Sequence, residues 1–334
     1  MHVQIVLFDG FDLLDAIAPY EVFTSAALYT DKPISVAFVS AEGKRTIPSG
    51  DNQVVLQASA KLDINQKGII VVPGASGTLD TTGTDSIPAK LQQATETDLP
   101  RLLEGAMENP DVVLATVCGG SLILAMAGLL EGRHAVTHHL GMKLLGATGA
   151  IPIHARVVAD QNLITAGGVT SGLDLALYLV ESELGPRIAH AVEQLFEYER
   201  RGTIWKAEGD TPIVQQQGDQ SELPKETSST QSGDGIDFQG LWDTTISTPV
   251  GKMNVLLDLK MENNRIVGTA KQGEEVVTLD NPVLDGDSLT WTMKVTKPIR
   301  LTLTFIVTVK GDKMRGIVKA GMLPSSKLVG KLVS

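Results

Sequence analysis

The first two hundred residues alternate between two hydrophobic rhythms. Val3–Phe8, Ile34–Val39, Gly68–Pro73 and Asp111–Val117 are short, nearly continuous apolar runs. They predict buried parallel strands, because a strand covered on both faces loses the in–out alternation. Between them, Leu13–Tyr29, Leu91–Met107 and Ser121–Leu130 carry apolar residues at three- and four-residue spacing, or on nearly every side, as helices do. Val157–Ala159 and Leu163–Ala166 predict a hairpin around Gln161–Asn162, and Gly172–Leu184 and Arg187–Arg200 predict closing helices. Strands separated by helices imply an open, mostly parallel α/β sheet. Sites in such sheets lie beyond the carboxyl ends of the strands. That rule points to the loops after Phe8, Val72 and Val117.

From Asp237 the rhythm changes. MNVLLDLKM, LTWTMKV, LTLTFIVTV and RGIVKAGM alternate with turn signals at Asn263–Asn264, Asp285–Gly286–Asp287 and Lys310–Gly311–Asp312. Short antiparallel strands at this spacing predict a small all-β barrel or sandwich of about 95 residues. Gly240–Leu241–Trp242 resembles the GxW opening of lipocalin-like barrels, with Trp242 expected to plug the barrel bottom and room left for an apolar ligand. Between the two parts, AEGDTPIVQQQGDQSELPKETSSTQSGDG is polar and lacks aromatics. Such a composition cannot bury enough apolar surface to order itself. The expected division is an α/β domain over 1–206, a flexible acidic linker over 207–236, and the β domain over 237–334.

Charge sharpens this division. Residues 1–202 carry 13 basic and 23 acidic side chains, residues 203–239 carry 2 and 7, and residues 240–334 carry 13 and 9, within a total of −11. An acidic first part and a mildly basic last part suggest docking between domains or subunits, which salt would weaken. The overall charge disfavours nucleic acid and anionic membranes as partners. No apolar run reaches the roughly 18 residues that a membrane helix needs. MHVQIVLFDG reads as a strand, with no basic head or cleavage site of a signal peptide. Cys118 is the single cysteine, which excludes an intramolecular disulfide and a Cys-pair zinc site and fits a reducing, cytoplasmic setting. No histidine pair has HExxH spacing, and no metal or organic cofactor is expected.

The candidate chemistry sits at the three strand ends. In DVVLATVCGGSLILAMAGLLEG a strand runs straight into a helix, with Cys118 at the join and Gly119–Gly120 allowing a tight turn. A lone cysteine is most often a buried structural thiol, but this position resembles a nucleophile elbow with Cys in place of Ser. A thiol facing the positive end of a helix should have a lowered pKa. In FDGFDLLDAIAPYEVF the carboxylates Asp12, Asp15 and Glu21 interrupt an apolar stretch. One beside a thiol should have a raised pKa and could hold a proton for acid–base chemistry. A helix-capping role for Asp15 is equally consistent with the spacing. Pro73–Gly74–Ala75–Ser76–Gly77 is a glycine-rich strand end that could supply a close backbone N–H, and it lacks the signature of a phosphate loop.

LLDAIAPYEVF, IIVVPGASG, VCGGSLILAMAGLLEGRHAVTHH, ARVVADQNLITAGGVTSGLDLALYLVE and EQLFEYE, in that order, give residues 1–205 a resemblance to the ThiJ/PfpI superfamily, and within it to the isocyanide hydratases. The resemblance implies a flavodoxin-like α/β sandwich that forms a homodimer and acts on a small molecule. It implies that Cys118 is the nucleophile, that Asp15 is the essential acid, and that Glu21 hydrogen-bonds the cysteine. Gly74, Ala75 and Gly119 would be backbone around the thiol, and Val169 would lie on the substrate-pocket turn. Gly119 stands where isocyanide hydratases carry Thr, and Thr137–His138–His139 where they carry Thr-His-Trp. Protease-like members place His directly after the cysteine, so Gly119 disfavours that activity. His134, His138, His139 and His154 are expected to have packing or surface roles.

The expected reaction is addition of water to an isocyanide, giving an N-substituted formamide through a Cys118 thioimidate. Two alternatives stay open. One is a glyoxalase or deglycase acting on 2-oxoaldehydes. The other is a non-enzymatic redox sensor based on Cys118.

Overall fold

The computed structural model describes residues 1–50, 54–79, 83–210, 238–248, 251–262, 265–272, 275–295, 301–320 and 325–333. The expected linker therefore lies almost wholly outside the described residues, as does the Asn263–Asn264 turn.

The N-terminal part is a flavodoxin-like α/β unit built on an eight-stranded sheet. Its main strands are β1 (His2–Val6), β2 (Ser35–Ser40), β3 (Gly68–Val72), β4 (Val112–Val117), β5 (Val157–Asp160) and β6 (Leu163–Ala166). The order across the sheet is Trp205–Lys206, β5, β6, β4, β3, β1, β2, Ala60–Lys61. Every neighbouring pair is parallel except the β5–β6 hairpin. Residues Ile69 to Val72 on β3 and Leu114 to Val117 on β4 are all buried, which explains their unbroken apolar sequence.

The main helices are α1 (Leu13–Ala26), α2 (Ile87–Thr95), α3 (Leu99–Glu108), α4 (Gly120–Met126), α5 (Ser171–Leu184) and α6 (Pro186–Phe196), with a short helix over Met142–Ala147 between α4 and α5. The helix expected over Leu91–Met107 is two helices. Pro100 lacks the N–H that a continuous helix would donate there. Thr97 fills the break, its hydroxyl donating to the Ala94 carbonyl at 2.9 Å and accepting from Leu99 N at 3.1 Å. The helix expected over Ser121–Leu130 ends early, at Met126, and the chain then turns through Gly128 with φ +80°.

The C-terminal part is a nearly closed antiparallel barrel. Its strands are β7 (Gly240–Thr248), β8 (Gly251–Glu262), β9 (Arg265–Gln272), β10 (Glu275–Thr278), β11 (Asp280–Asp285), β12 (Ser288–Val295), β13 (Leu301–Lys310), β14 (Lys313–Ala320) and β15 (Ser326–Leu332). The sheet order is β10, β9, β8, β7, β15, β14, β13, β12, β11. Its two end strands are separated by Leu279 alone, whose N–H donates to Gly268 on β9 at 3.0 Å. Alternate residues point inward: Val255, Leu257 and Leu259 on β8, and Leu303, Phe305, Val307 and Val309 on β13. Trp242 is fully buried in this core, and its indole N–H donates to the Phe238 carbonyl at 2.9 Å. Among the described residues no helix is long and apolar enough to cross a membrane.

Candidate functional site

The three strand ends singled out by the topology converge. Asp12 N donates to Gly74 O at 2.8 Å, Ser76 N to Gly10 O at 3.1 Å, and Gly50 N to Phe11 O at 3.0 Å. The first two bonds tie the loop after β1 to the loop after β3, the third ties it to the segment at Gly50, and Ala75 is buried opposite Phe11 in the resulting bridge. The end of β4 presses against the same loop. A Cβ on Gly74 would lie 2.6 Å from Gly119 N and 2.9 Å from Asp15 Oδ2, and a Cβ on Gly120 would lie 2.2 Å from Val72 O. Only glycine lets these segments approach so closely.

Cys118 occupies the turn from β4 into α4 with φ +54°, a left-handed conformation that non-glycine residues rarely adopt. Surrounding bonds hold it there. Its N–H is shared between the carbonyls of Ala166 and Gly167 at 3.0 and 2.9 Å, and its carbonyl accepts from Thr137 Oγ1 at 2.7 Å. The residue is only 8% exposed.

Asp15 lies against this thiol and is fully buried. Its Oδ2 accepts the Gly74 N–H at 2.9 Å, while Oδ1 has no hydrogen-bond partner. Capping of α1 falls instead to Asp12, whose Oδ1 accepts from Leu14 N and Asp15 N at 3.0 and 3.2 Å. Burial, and then the Asp12 charge, push the Asp15 pKa well above the ordinary carboxylate range. The Gly74 N–H and the thiol pull it back only in part.

The electrostatics overturn one expectation. Burial, and then the Asp15 charge, raise the Cys118 pKa rather than lower it. The backbone N–H groups of Gly119 and Val169 bond the sulfur and act in the expected direction, but they are outweighed. Helix α4 has only seven residues, and desolvation of a thiolate is the larger effect. The thiol and carboxyl groups thus form a pair that resists losing its last proton.

Glu21 requires a correction. It is solvent-exposed on α1. Six residues separate it from Asp15, and at about 100° per residue this turns it roughly 120° away around the helix. Glu21 and Asp15 cannot both face the thiol.

Val169 sits on the turn between β6 and α5. A network around one buried carboxylate fixes that turn. Asp174, 1% exposed, accepts from Arg156 Nε at 2.8 Å, Tyr198 OH at 3.1 Å and Arg201 N at 2.8 Å, and Arg156 also reaches Thr170 Oγ1 at 3.2 Å. His138, expected to have a packing or surface role, stands at this turn. A Cβ on Gly168 would lie 2.8 Å from its Cδ2. Burial, and then the neighbouring His139, lower its pKa, while Asp12 opposes them. Its place directly after Thr137, which holds the Cys118 carbonyl, was the available signal. Among the described residues no three His, Cys, Asp or Glu side chains gather as metal ligands would.

Comparison with known proteins agrees with this architecture. The chain is 47% identical over 85 residues to the isonitrile hydratase of Pseudomonas putida, a match covering 25% of this chain and 37% of that protein's length. It is 23% identical over 194 residues to the Parkinson disease protein 7 homolog of Danio rerio, covering 57% of this chain and 93% of that one. Among solved structures, a ThiJ/PfpI family protein from Pseudomonas syringae superposes with a TM-score of 0.50 at 24% identity, covering 60% of this chain and 76% of that one. The model of the DJ-1/PfpI family matches residues 1–182, more than half of the sequence, and the chain belongs to that family.

Proposed function

We propose that the protein is an isocyanide hydratase-like enzyme of the lyase class, with Cys118 as nucleophile at a nucleophile elbow and Asp15 as its acid–base partner. The observation that carries this reading is the buried Cys118–Asp15 pair, in which one carboxylate oxygen is pinned by Gly74 N–H and the other is unpartnered. The segment identity with isonitrile hydratase supports the choice of substrate class.

An isocyanide carbon must gain both a nucleophile and a proton, and the pair offers both. The sulfur bonds to the terminal carbon of R–N≡C while the pair's proton passes through Asp15 to that carbon, giving the thioimidate R–N=CH–S–Cys118. Asp15, now a carboxylate, takes a proton from water as the hydroxyl oxygen bonds to the same carbon. Asp15 passes that proton to the nitrogen, the hydroxyl proton returns to Asp15 as the C=O bond forms and the C–S bond breaks, and R–NH–CHO leaves with the pair and its one proton restored. A raised Asp15 pKa suits a group that must give and retake a proton. Gly119 and Val169 N–H groups hold the sulfur in line. The reading includes a cytoplasmic homodimer, an α/β domain over 1–206 and a β domain over 237–334 with room for an apolar ligand. Glu21, exposed as it is, has no part in the chemistry.

The test is a substrate panel of an aryl isocyanide and methylglyoxal on the wild type and Cys118→Ala. Hydration of the isocyanide should be lost in the variant. Turnover of methylglyoxal alone would favour the glyoxalase reading. A stable sulfinate with no turnover of either compound would favour the sensor.

A further inference from the structure

Lys90 is a buried cation that the reaction above does not use. Helix α2 starts at a Ser86 cap, whose Oγ accepts from Ala89 N, and this sets Lys90 facing the loop after β3. The Lys90 side chain is 10% exposed. Its ammonium donates to the Ser76 carbonyl at 3.0 Å and pairs with Asp85 Oδ1 at 2.6 Å, and Asp85 is itself largely exposed. Its stem crosses Gly10, where a Cβ would lie 2.6 Å from Lys90 Cδ and where φ is +87°. The next residue, Leu91, rests on the nucleophile's turn, its methyl carbons 3.2 and 3.4 Å from where a Gly119 Cβ would be.

Two adjacent side chains of α2 therefore grip the two halves of the site. Lys90 holds the strand end that carries Gly74, and Leu91 covers the turn that carries Cys118. Burying an ammonium costs free energy that an apolar side chain of equal length would not incur. The bond formed in return ends two residues from Gly74, the group that pins Asp15.

We propose that Lys90 is a positioning residue that staples the Gly74–Gly77 loop and so keeps Asp15 in register with Cys118. The inference rests on Cys118 and Asp15 being the reactive pair. The expected consequence of losing the staple is that Asp15 drifts from the thiol. The thiol then ionises at lower pH, because the Asp15 charge is one of the causes that raise it.

Because Cys118 is the sole cysteine, its alkylation by iodoacetamide, followed by intact mass, reads the pair whatever the natural substrate. The full-length wild type, Lys90→Met, Lys90→Arg and Asp85→Ala are compared by alkylation across pH and by hydration of an aryl isocyanide. Lys90→Met should lower kcat about tenfold with KM within about twofold of wild type. It should also move the alkylation midpoint down by about half a pH unit or more. Lys90→Arg should restore both, and Asp85→Ala should move both part of the way. An unchanged midpoint in Lys90→Met overturns the proposal, as does equal impairment in Lys90→Arg. Should Lys90→Met fail to fold by circular dichroism, an unchanged midpoint in Asp85→Ala overturns it. A wild type inert toward isocyanides refutes the reaction assignment, while the alkylation midpoints still decide the role of Lys90.

Discussion

Asp15 is an unusual place for a carboxyl group: fully buried, bonded to one backbone N–H, with one oxygen unpartnered. In the unfolded chain it titrates in the ordinary range, while in the folded chain it keeps its proton to higher pH. Its favourable contribution to stability is therefore complete at low pH and is lost as pH rises through the folded value. Asp15→Asn should accordingly raise the melting temperature relative to wild type more at pH 8 than at pH 4, measured by calorimetry, while hydration activity is lost. An equal effect at both pH values would refute the raised pKa. Gly74→Ala tests the close approach of the strand ends. The added Cβ meets Gly119 N at 2.6 Å, and a melting temperature lower by about 5 °C is expected.

At the scale of elements, the same residue types behave differently by position. Trp242 and Trp291 are both fully buried in the barrel, but only Trp242 has an acceptor for its indole N–H; that of Trp291 is unpartnered, its ring stacked on Phe305 at 4.8 Å. Replacement by Phe removes a similar volume at either site. Trp242→Phe also strands the Phe238 carbonyl, whereas Trp291→Phe removes an unmet donor. Trp242→Phe should thus cost about 1 kcal/mol more than Trp291→Phe, read from urea denaturation. The turn at Cys118 shows the other side of element-scale control. The left-handed backbone is held by Ala166 and Gly167 of a neighbouring strand end and by Thr137, none of them near in sequence.

At the scale of the molecule, an acidic α/β unit and a basic barrel share one chain. The site described above draws only on residues 10–172 and their supports. A chain ending near Ala207 should therefore retain kcat/KM for an isocyanide within about twofold, because every group described above around the reacting atoms comes from the α/β unit. Loss of turnover in that truncation alone would give the barrel a catalytic part. Sedimentation of the full chain across a salt series would show whether the opposite charges hold subunits together, since such contacts weaken as salt rises.

Much of this was legible in the linear chain. The unbroken apolar runs of β3 and β4 announced strands covered on both faces, the alternation after residue 240 announced a barrel, and Cys118–Gly119–Gly120 announced a strand-to-helix turn. These features are local, because periodicity and turn chemistry are written in neighbouring residues. The break between α2 and α3 is also written locally, in Pro100, against an apolar spacing that predicts one helix. What the tertiary structure alone decided was nonlocal. Of three acidic side chains in one short stretch, it made Asp12 the cap, buried Asp15 against the thiol, and left Glu21 in solvent. It reversed the expected shift of the Cys118 pKa, because desolvation and a facing carboxylate depend on what packs around a group, whereas the helix end that opposes them is visible in sequence. It also brought Lys90 and Leu91 against loops ten or more residues away. Contacts of that kind are set by how strand ends meet, which no local pattern records.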